Sequence, residues 1–398
     1  MARRTATEEC LMPDHVSARA MAVHPFVVMD VVARAKELEA QGRDIVRMDV
    51  GDPDLPTPAV ITAAAEAAME SGDTGYTQSM GLPDLRDAVS ARFASKYGVT
   101  VSRDDIVVTQ GTSPAMLLLF GSLLDPGDEV ILSDPCYPAY PNYVAFLGGV
   151  PVRVRARASD GFRMRIEEIE AAITPRTRCI MINSPSNPMG TVLPPEDLAA
   201  IAGLAEKHGL YVASDEIYHG LDFTGTDHTI LQYTDRAFVL NGFSKLYAMT
   251  GWRLGYLVAP RDFVRPAEAI QQNFFLCANH FVQVAGTTAL LKAGPDVARM
   301  RAIYDERRRF LVPALRGIGL TVEVEPTAAF YVFADAKEWG SDSLALTYRL
   351  IDEAGVAAAP GMDFGPGGEG FLRFSYVTDI DRLREGVSRL RAWSDARV

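Results

Sequence analysis

The sequence predicts an α/β protein: a mostly parallel central sheet with helices on both faces, joined to a smaller α+β domain. Three observations carry this reading. Between about residues 60 and 290, short β-branched runs alternate with helical segments. The runs are apolar throughout, as strands covered on both faces must be, instead of alternating with polar residues. Past about residue 315 the rhythm changes to mixed short strands and helices, and 398 residues suffice for a large domain carrying a small one.

In chain order, "RAKELEAQ" (34–41) predicts an amphipathic helix closed by Gly42 at the left-handed cap position. "DIVRMDVGDPDLPTP" reads as a short strand entering a Pro-rich loop. The core strands are "DIVVTQG", "DEVILSDP", "VPVRVRA", "RCIMINSP", "LYVASDE", "AFVLNGF" and "RLGYLVAP", each expected to be separated by a helix or a crossover. "AMLLLFGSLL" (115–124) reads as a buried helix, too short to span a bilayer. A long helical stretch covers roughly 267–315. Then come "GLTVEVEPTAAFYVFADAK", a helix near 343–354, "GFLRFSYVT" and a last helix from Ile380. The expected division is an N-terminal arm with part of the small domain (1–49), a large domain (50–295) and a small C-terminal domain (296–398). No linker separates the parts, so a ligand cleft is expected between them.

Composition narrows the function. Hydrophobic residues at 48% and charged residues at 23% match a soluble globular chain. A net charge of -12 argues against nucleic acid and acidic membranes, which both need basic patches, and for a small-molecule partner. Cys10, Cys136, Cys179 and Cys277 form no CxxC pair, which fits reduced thiols in the cytoplasm, and six scattered histidines give no metal signal. "MARRTATEEC" has no apolar stretch behind its arginines and is not read as a signal peptide.

Chemistry gathers where strands end, the usual ligand edge of an open α/β sheet. "VVTQGTSPAM" puts Gly111, Thr112 and Ser113 before an apolar helix, which is either a plain helix start or an anion site. "INSPSNPMG" offers Asn183, Ser184, Ser186 and Asn187 in what is equally a turn. "LYVASDEIYHG" ends a strand with Asp215, Glu216 and Tyr218, where an acid also suits a helix cap. "NGFSKLYAMTGWRLGY" (241–256) holds Lys245 and Arg253 in apolar surroundings; alone, such a lysine reads as a snorkelling surface residue. Together the clusters ask for one ligand with a phosphate, a ring nitrogen for a carboxylate, a phenolic oxygen and a carbonyl for an amine. Pyridoxal 5'-phosphate has all four. The amine must then lose its proton below its ordinary pKa, and burial beside Arg253 favours that.

From about Val31 to the last helix, the chain resembles the class I/II aminotransferases of the fold-type I pyridoxal-phosphate enzymes, most specifically in "GFSKLYAMTGWRLG". The resemblance implies that Lys245 is the Schiff-base lysine and proton shuttle, and that Asp215 pairs with the pyridinium nitrogen. It implies that Asn187 and Tyr218 bond the phenolic oxygen and that Tyr137, in "DPCYPAY", stacks on the ring. Gly111, Thr112, Ser244 and Arg253 hold the phosphate, while Tyr76 reaches the phosphate of a neighbouring subunit in a homodimer with shared active sites. Arg373 grips the substrate's α-carboxylate, with the Gly51 backbone beside it. The activity implied is ping-pong transfer of an amino group from an L-amino acid to a 2-oxo acid, 2-oxoglutarate by family habit. The alternatives are an eliminating or cyclising lyase on the same cofactor, and a non-catalytic sensor, which would need a basic helix-turn-helix ahead of the fold. Three features depart from the family's pattern. Gly242 stands where a phosphate-donating serine is common. "GTSP" brings Pro114 into the first helical turn, which suits proline. Ser113 stands where some relatives acting on acidic amino acids carry lysine. "QQNFFLCANH" (271–280) is expected to line the entrance from the neighbouring subunit, with Phe274, Phe275 and Leu276 favouring neutral side chains or simply packing there.

Overall fold

A computed structural model describes residues 16–225 and 227–397; the readings of Cys10 and "MARRTATEEC" fall outside them. The strands are β1 (Val46–Met48), β2 (Ile106–Thr109), β3 (Glu129–Asp134), β4 (Val150–Arg155), β5 (Thr177–Asn183), β6 (Tyr211–Asp215), β7 (Ala237–Gly242), β8 (Gly255–Val258), β9 (Tyr331–Asp335), β10 (Val356–Pro360) and β11 (Phe371–Ser375). The large sheet runs β2-β8-β7-β6-β5-β3-β4. Its strands are parallel except β8, which is antiparallel to both β2 and β7. Along β7, Phe238 and Leu240 enter one apolar cluster while Val239 between them enters another, so each face of the sheet has its own core. That two-sided burial is why the strand sequences lack polar alternation.

The structure departs from the sequence reading in four places, the first being that the helix read over 34–41 runs Val27–Ala40. β7 and β8 are not separated by a helix or a crossover: they pair directly, and the segment between them carries Lys245. The long helical stretch is three helices, Arg261–Phe274, His280–Lys292 and Gly294–Arg316. The first break is enforced by the left-handed backbone of Leu276 (φ 63) and by distant anchors. The Gln110 side chain donates to the Cys277 carbonyl at 2.9 Å, and the Thr77 N–H donates to Cys277 Sγ at 3.4 Å. Lastly, "GLTVEVEP" yields only a bridge between Thr321 and Asp335 ahead of β9.

The smaller sheet runs β1-β10-β11-β9, with β1 parallel to β10 and the rest antiparallel. β1 precedes the whole large sheet in the chain, so the loop after it crosses from one sheet to the other. Arg307, on the helix Gly294–Arg316, fixes that loop by a two-pronged pair with Asp54 at 2.8 Å per contact. No helix among the described residues is long and apolar enough to cross a membrane.

Behind the end of β6 lies a buried polar cluster. Glu216 Oε1 accepts from the hydroxyls of Ser214 (3.1 Å) and Thr229 (2.9 Å) and from the Ile230 N–H (3.1 Å), while Oε2 faces His219 Nδ1 at 3.2 Å. Burial pushes the Glu216 carboxyl up to about 8 and His219 down to about 3, so at neutral pH a protonated acid meets a neutral imidazole. An acid with a raised folded-state pKa stabilises fully below its unfolded value of about 4.3 and loses that contribution as pH climbs through the folded value. Glu216→Gln keeps a neutral donor and acceptor there. It should therefore melt within about 2 °C of wild type at pH 5 and gain on wild type as pH rises towards 8; parallel melting-temperature curves would contradict the assignment.

Candidate active site

Parallel β5 and β6 end in register, with Asn183 beside Asp215. The Asn183 amide ties the two ends together: Nδ2 donates to the Asp215 carbonyl at 2.9 Å, and Oδ1 accepts the Asn187 N–H at 2.8 Å. This fixes the turn that presents Asn187. Asp215 is fully enclosed; Oδ1 accepts the Ile217 N–H (3.1 Å) and Oδ2 the Tyr140 hydroxyl (2.8 Å). Burial lifts its carboxyl to about 6 against the pull of those two donors and of Lys245.

Sequence reasoning missed Tyr140. Tyr137 lies just ahead of the helix Ala139–Phe146 and Tyr140 in its first turn, so no helical spacing pairs them in the sequence. Their rings meet edge to face at 5.4 Å, which sets the Tyr137 ring against the residue that holds Asp215.

Lys245 Nζ donates to the Gly51 carbonyl at 2.8 Å. Desolvation brings this amine down to about 8; repulsion from Arg373 and then Arg253 adds to the drop, while Asp52 and Asp215 oppose it. Gly51 is glycine for a steric reason: a Cβ there would lie 1.8 Å from the Tyr331 hydroxyl oxygen. That hydroxyl is paired with the Tyr218 hydroxyl at 2.8 Å. Arg373, on β11, donates through Nη1 to Asn187 Oδ1 (2.9 Å) and through Nη2 to the Asp49 carbonyl (2.6 Å). Its guanidinium lies over the Tyr331 ring at 4.5 Å and near the Phe364 ring at 5.0 Å. Its buried Nε has no hydrogen-bond partner among the described residues. The backbone group that Arg373 holds is thus Asp49, while Gly51 serves Lys245.

A second group forms the helix start. Gly111, at φ 93, precedes the helix Thr112–Leu123, whose first N–H groups have no side-chain cap. A Cβ on Gly111 would lie 2.5 Å from Arg253 Nη2, and one on Gly255 would lie 2.8 Å from the Gly111 carbonyl carbon. Glycine at both places therefore lets β8 and Arg253 close on the helix start. Ser244, next to Lys245 in the chain, is buried, whereas Tyr76 is 86% exposed.

These donors fit pyridoxal phosphate. An uncapped helix start beside an exposed guanidinium suits a phosphate, a buried carboxylate suits a ring N–H, and a desolvated amine suits an aldehyde. A lysine and a buried aspartate at neighbouring strand ends of this sheet are the pair that a pyridoxal-phosphate enzyme needs. More particularly, the chain belongs to the aminotransferase class I and II family, whose model matches residues 43–390. It is 38% identical over 386 residues to the valine–pyruvate aminotransferase of Mycobacterium tuberculosis, covering 96% of this chain and 99% of that one. It is 37% identical to the aspartate/prephenate aminotransferase of Thermus thermophilus, covering 94% and 97%. Among solved structures, a mutant of Thermus thermophilus aspartate aminotransferase superposes with a TM-score of 0.91 at 37% identity, covering 95% of this chain and 99% of that one. The protein is a pyridoxal-phosphate-dependent aminotransferase taking amino and oxo acids.

Removing the Tyr140 hydroxyl takes one donor from Asp215 and so raises its pKa. Tyr140→Phe should leave the fold within about 1 kcal/mol, the net worth of one hydrogen bond, and move the acid limb of the holoenzyme's kcat/KM profile to higher pH. An unmoved limb would show that the contact is only packing.

Proposed function

We propose that Lys245, Asp215 and Arg373 perform the transfer, with the other residues implied by the resemblance holding the cofactor. One observation carries this: the Lys245 amine, depressed to about 8, sits on the loop that also receives Arg373. Bound pyridoxal phosphate supplies an aldehyde carbon and an electron-withdrawing ring. Asp215 holds the ring N–H, with Tyr140 keeping that carboxylate ionised. Gly111, Thr112, Ser244 and Arg253 take the phosphate, Tyr137 covers the ring, and Asn187 and Tyr218 take the phenolic oxygen. Arg373 takes the α-carboxylate with its guanidinium, which holds the amino acid beside Lys245. Lys245 Nζ, partly neutral at pH 7, accepts that proton and delivers one back. The first 2-oxo acid leaves and a second, 2-oxoglutarate, enters the same site, giving ping-pong kinetics.

The working unit in this reading is a homodimer. Tyr76 at 86% exposure, Phe274 at 72% and Leu276 at 55% expose apolar surface on segments tied together through Cys277, as a partner-facing surface would. Free thiols at Cys136, Cys179 and Cys277 accord with a cytoplasmic setting.

Lys245→Ala should reduce turnover by at least about 10²-fold with the fold retained; activity within a few-fold of wild type would refute the role. Arg373→Ala should raise KM by roughly 10²-fold, the scale of a lost charge-assisted pair, with cofactor still bound. Mixing Lys245→Ala with Tyr76→Ala protein should restore activity, because one site per heterodimer regains both residues. No recovery on subunit exchange would place Tyr76 in its own subunit's site.

A further inference from the structure

Between β7 and β8, the segment "SKLYAMTGWR" carries Lys245 near one end and Arg253 at the other. Five residues other than glycine have a left-handed backbone among the described residues, and two of them, Ala248 (φ 50) and Arg253 (φ 54), lie here. Gly251, between them, does not take that conformation. A residue with a Cβ holds such a backbone only where its surroundings over-determine it. Part of the constraint is internal: the Met249 N–H donates to the Ser244 carbonyl at 3.1 Å, the Trp252 N–H to the Met249 carbonyl at 3.3 Å, and Arg253 Nη1 to the Thr250 carbonyl at 3.0 Å. The outside constraint is Thr57. Its hydroxyl donates to the Ala248 carbonyl at 2.6 Å and accepts the Trp252 indole N–H at 3.2 Å. Among the described residues, no other side chain from outside the segment hydrogen-bonds its backbone.

Thr57 is itself held stiffly. Pro58 after it favours extended backbone at Thr57, its β-branched side chain has few rotamers, and the helix Ala59–Glu70 that follows packs against the helix His280–Lys292. Lys245 makes another tie to the same crossing loop, from Nζ to the Gly51 carbonyl, but that tie uses the reacting amine. The Thr57 hydroxyl has no such second duty, so its hold does not depend on what the amine is doing. Arg253 directly follows Trp252, and its Nη2 would lie 2.5 Å from a Cβ on Gly111, at the uncapped start of the helix Thr112–Leu123. Thr57 thus fixes the backbone from which the guanidinium reaches that helix start.

We propose that Thr57 is a positioning residue for the phosphate: by holding Ala248 and Trp252 it keeps Arg253 in its left-handed conformation, with the guanidinium at the Gly111 helix start. The inference rests on the reading of Arg253 as a phosphate ligand. Its test compares pyridoxal phosphate with pyridoxal, which has the aldehyde and ring but no phosphate, each titrated into the full chain freed of cofactor and followed by absorbance. Thr57→Val keeps the shape and removes both hydrogen bonds; it should weaken pyridoxal phosphate binding about tenfold, the scale of two neutral hydrogen bonds, and pyridoxal binding less than about twofold. Thr57→Ser, which keeps the hydroxyl, should stay within about threefold of wild type for both ligands. Trp252→Phe removes one contact without touching Thr57 and should lose about threefold, again for pyridoxal phosphate alone. A merely structural role would weaken both ligands alike. Equal losses for the two ligands in Thr57→Val or Trp252→Phe, no loss of pyridoxal phosphate binding in Thr57→Val, or a loss in Thr57→Ser as large as in Thr57→Val would overturn the proposal. Arg253→Gln separates it from the reading beneath: a loss confined to pyridoxal phosphate there, with Thr57→Val unchanged, would overturn the positioning role alone, whereas unchanged affinity in Arg253→Gln would overturn both.

Discussion

The site depends on one short piece of backbone, from Asp49 to Gly51. Its carbonyl groups accept from Arg373 at one residue and from Lys245 two residues later. Arg373 belongs to the small sheet and Lys245 to a loop of the large one, so this piece of chain sets the distance between the Arg373 guanidinium and the Lys245 amine. It can do so because β1 is a member of the small sheet while the chain beyond it enters the large sheet. The Arg307–Asp54 pair then keeps the crossing loop from sliding. Packing decides the residue types: with the Tyr331 hydroxyl where a Cβ would be, only glycine lets the loop lie close enough for its carbonyl to meet Lys245.

Charge is arranged around that frame so that each group is held in the state its task needs. Arg373 lowers the lysine's proton affinity more than Arg253 does, so the residue proposed to bind a carboxylate would also prepare the amine. An arriving carboxylate would partly neutralise Arg373 and raise the affinity of Lys245 for a proton at the moment a proton is to be taken. Asp215 is under the opposite pressure, since burial favours its protonated form and only Tyr140, Ile217 and the field of Lys245 resist. A cationic ring nitrogen beside it would complete that resistance.

Much of this was legible in the sequence. The large-sheet strands stand out because two-sided burial makes them apolar at every position, and Lys245, Asp215, Asn187 and Arg373 fall at strand or turn positions where a motif reader looks. What was not legible depends on contacts between residues far apart in the chain. Tyr331 explains Gly51 only once β9 is folded against the loop. Tyr140 meets Asp215 across 75 positions. The helix break after Phe274 is set by Gln110 and Thr77, which no local propensity reveals. Asp363 reaches the amides of Val27 and Val28 across more than 300 positions, so the course of that segment has no local signature.

Gly242 carries the same lesson in the other direction. As a sequence feature it is a missing hydroxyl in a phosphate cradle. In the fold it is paired with Gly255 across the antiparallel β7–β8 step, and a Cβ at 242 would lie 3.0 Å from the Leu254 carbonyl oxygen and 3.1 Å from the Gly255 Cα. Two facing glycines let these strands approach closely, and β8 then presses on the helix start at Gly111 with Arg253 at its side. The hydroxyl absent at 242 is thus set against a closer approach of backbone N–H groups and a guanidinium. An anion at that helix start would meet a stronger field from these than from one neutral donor, because a charged partner contributes about twice as much as a neutral one.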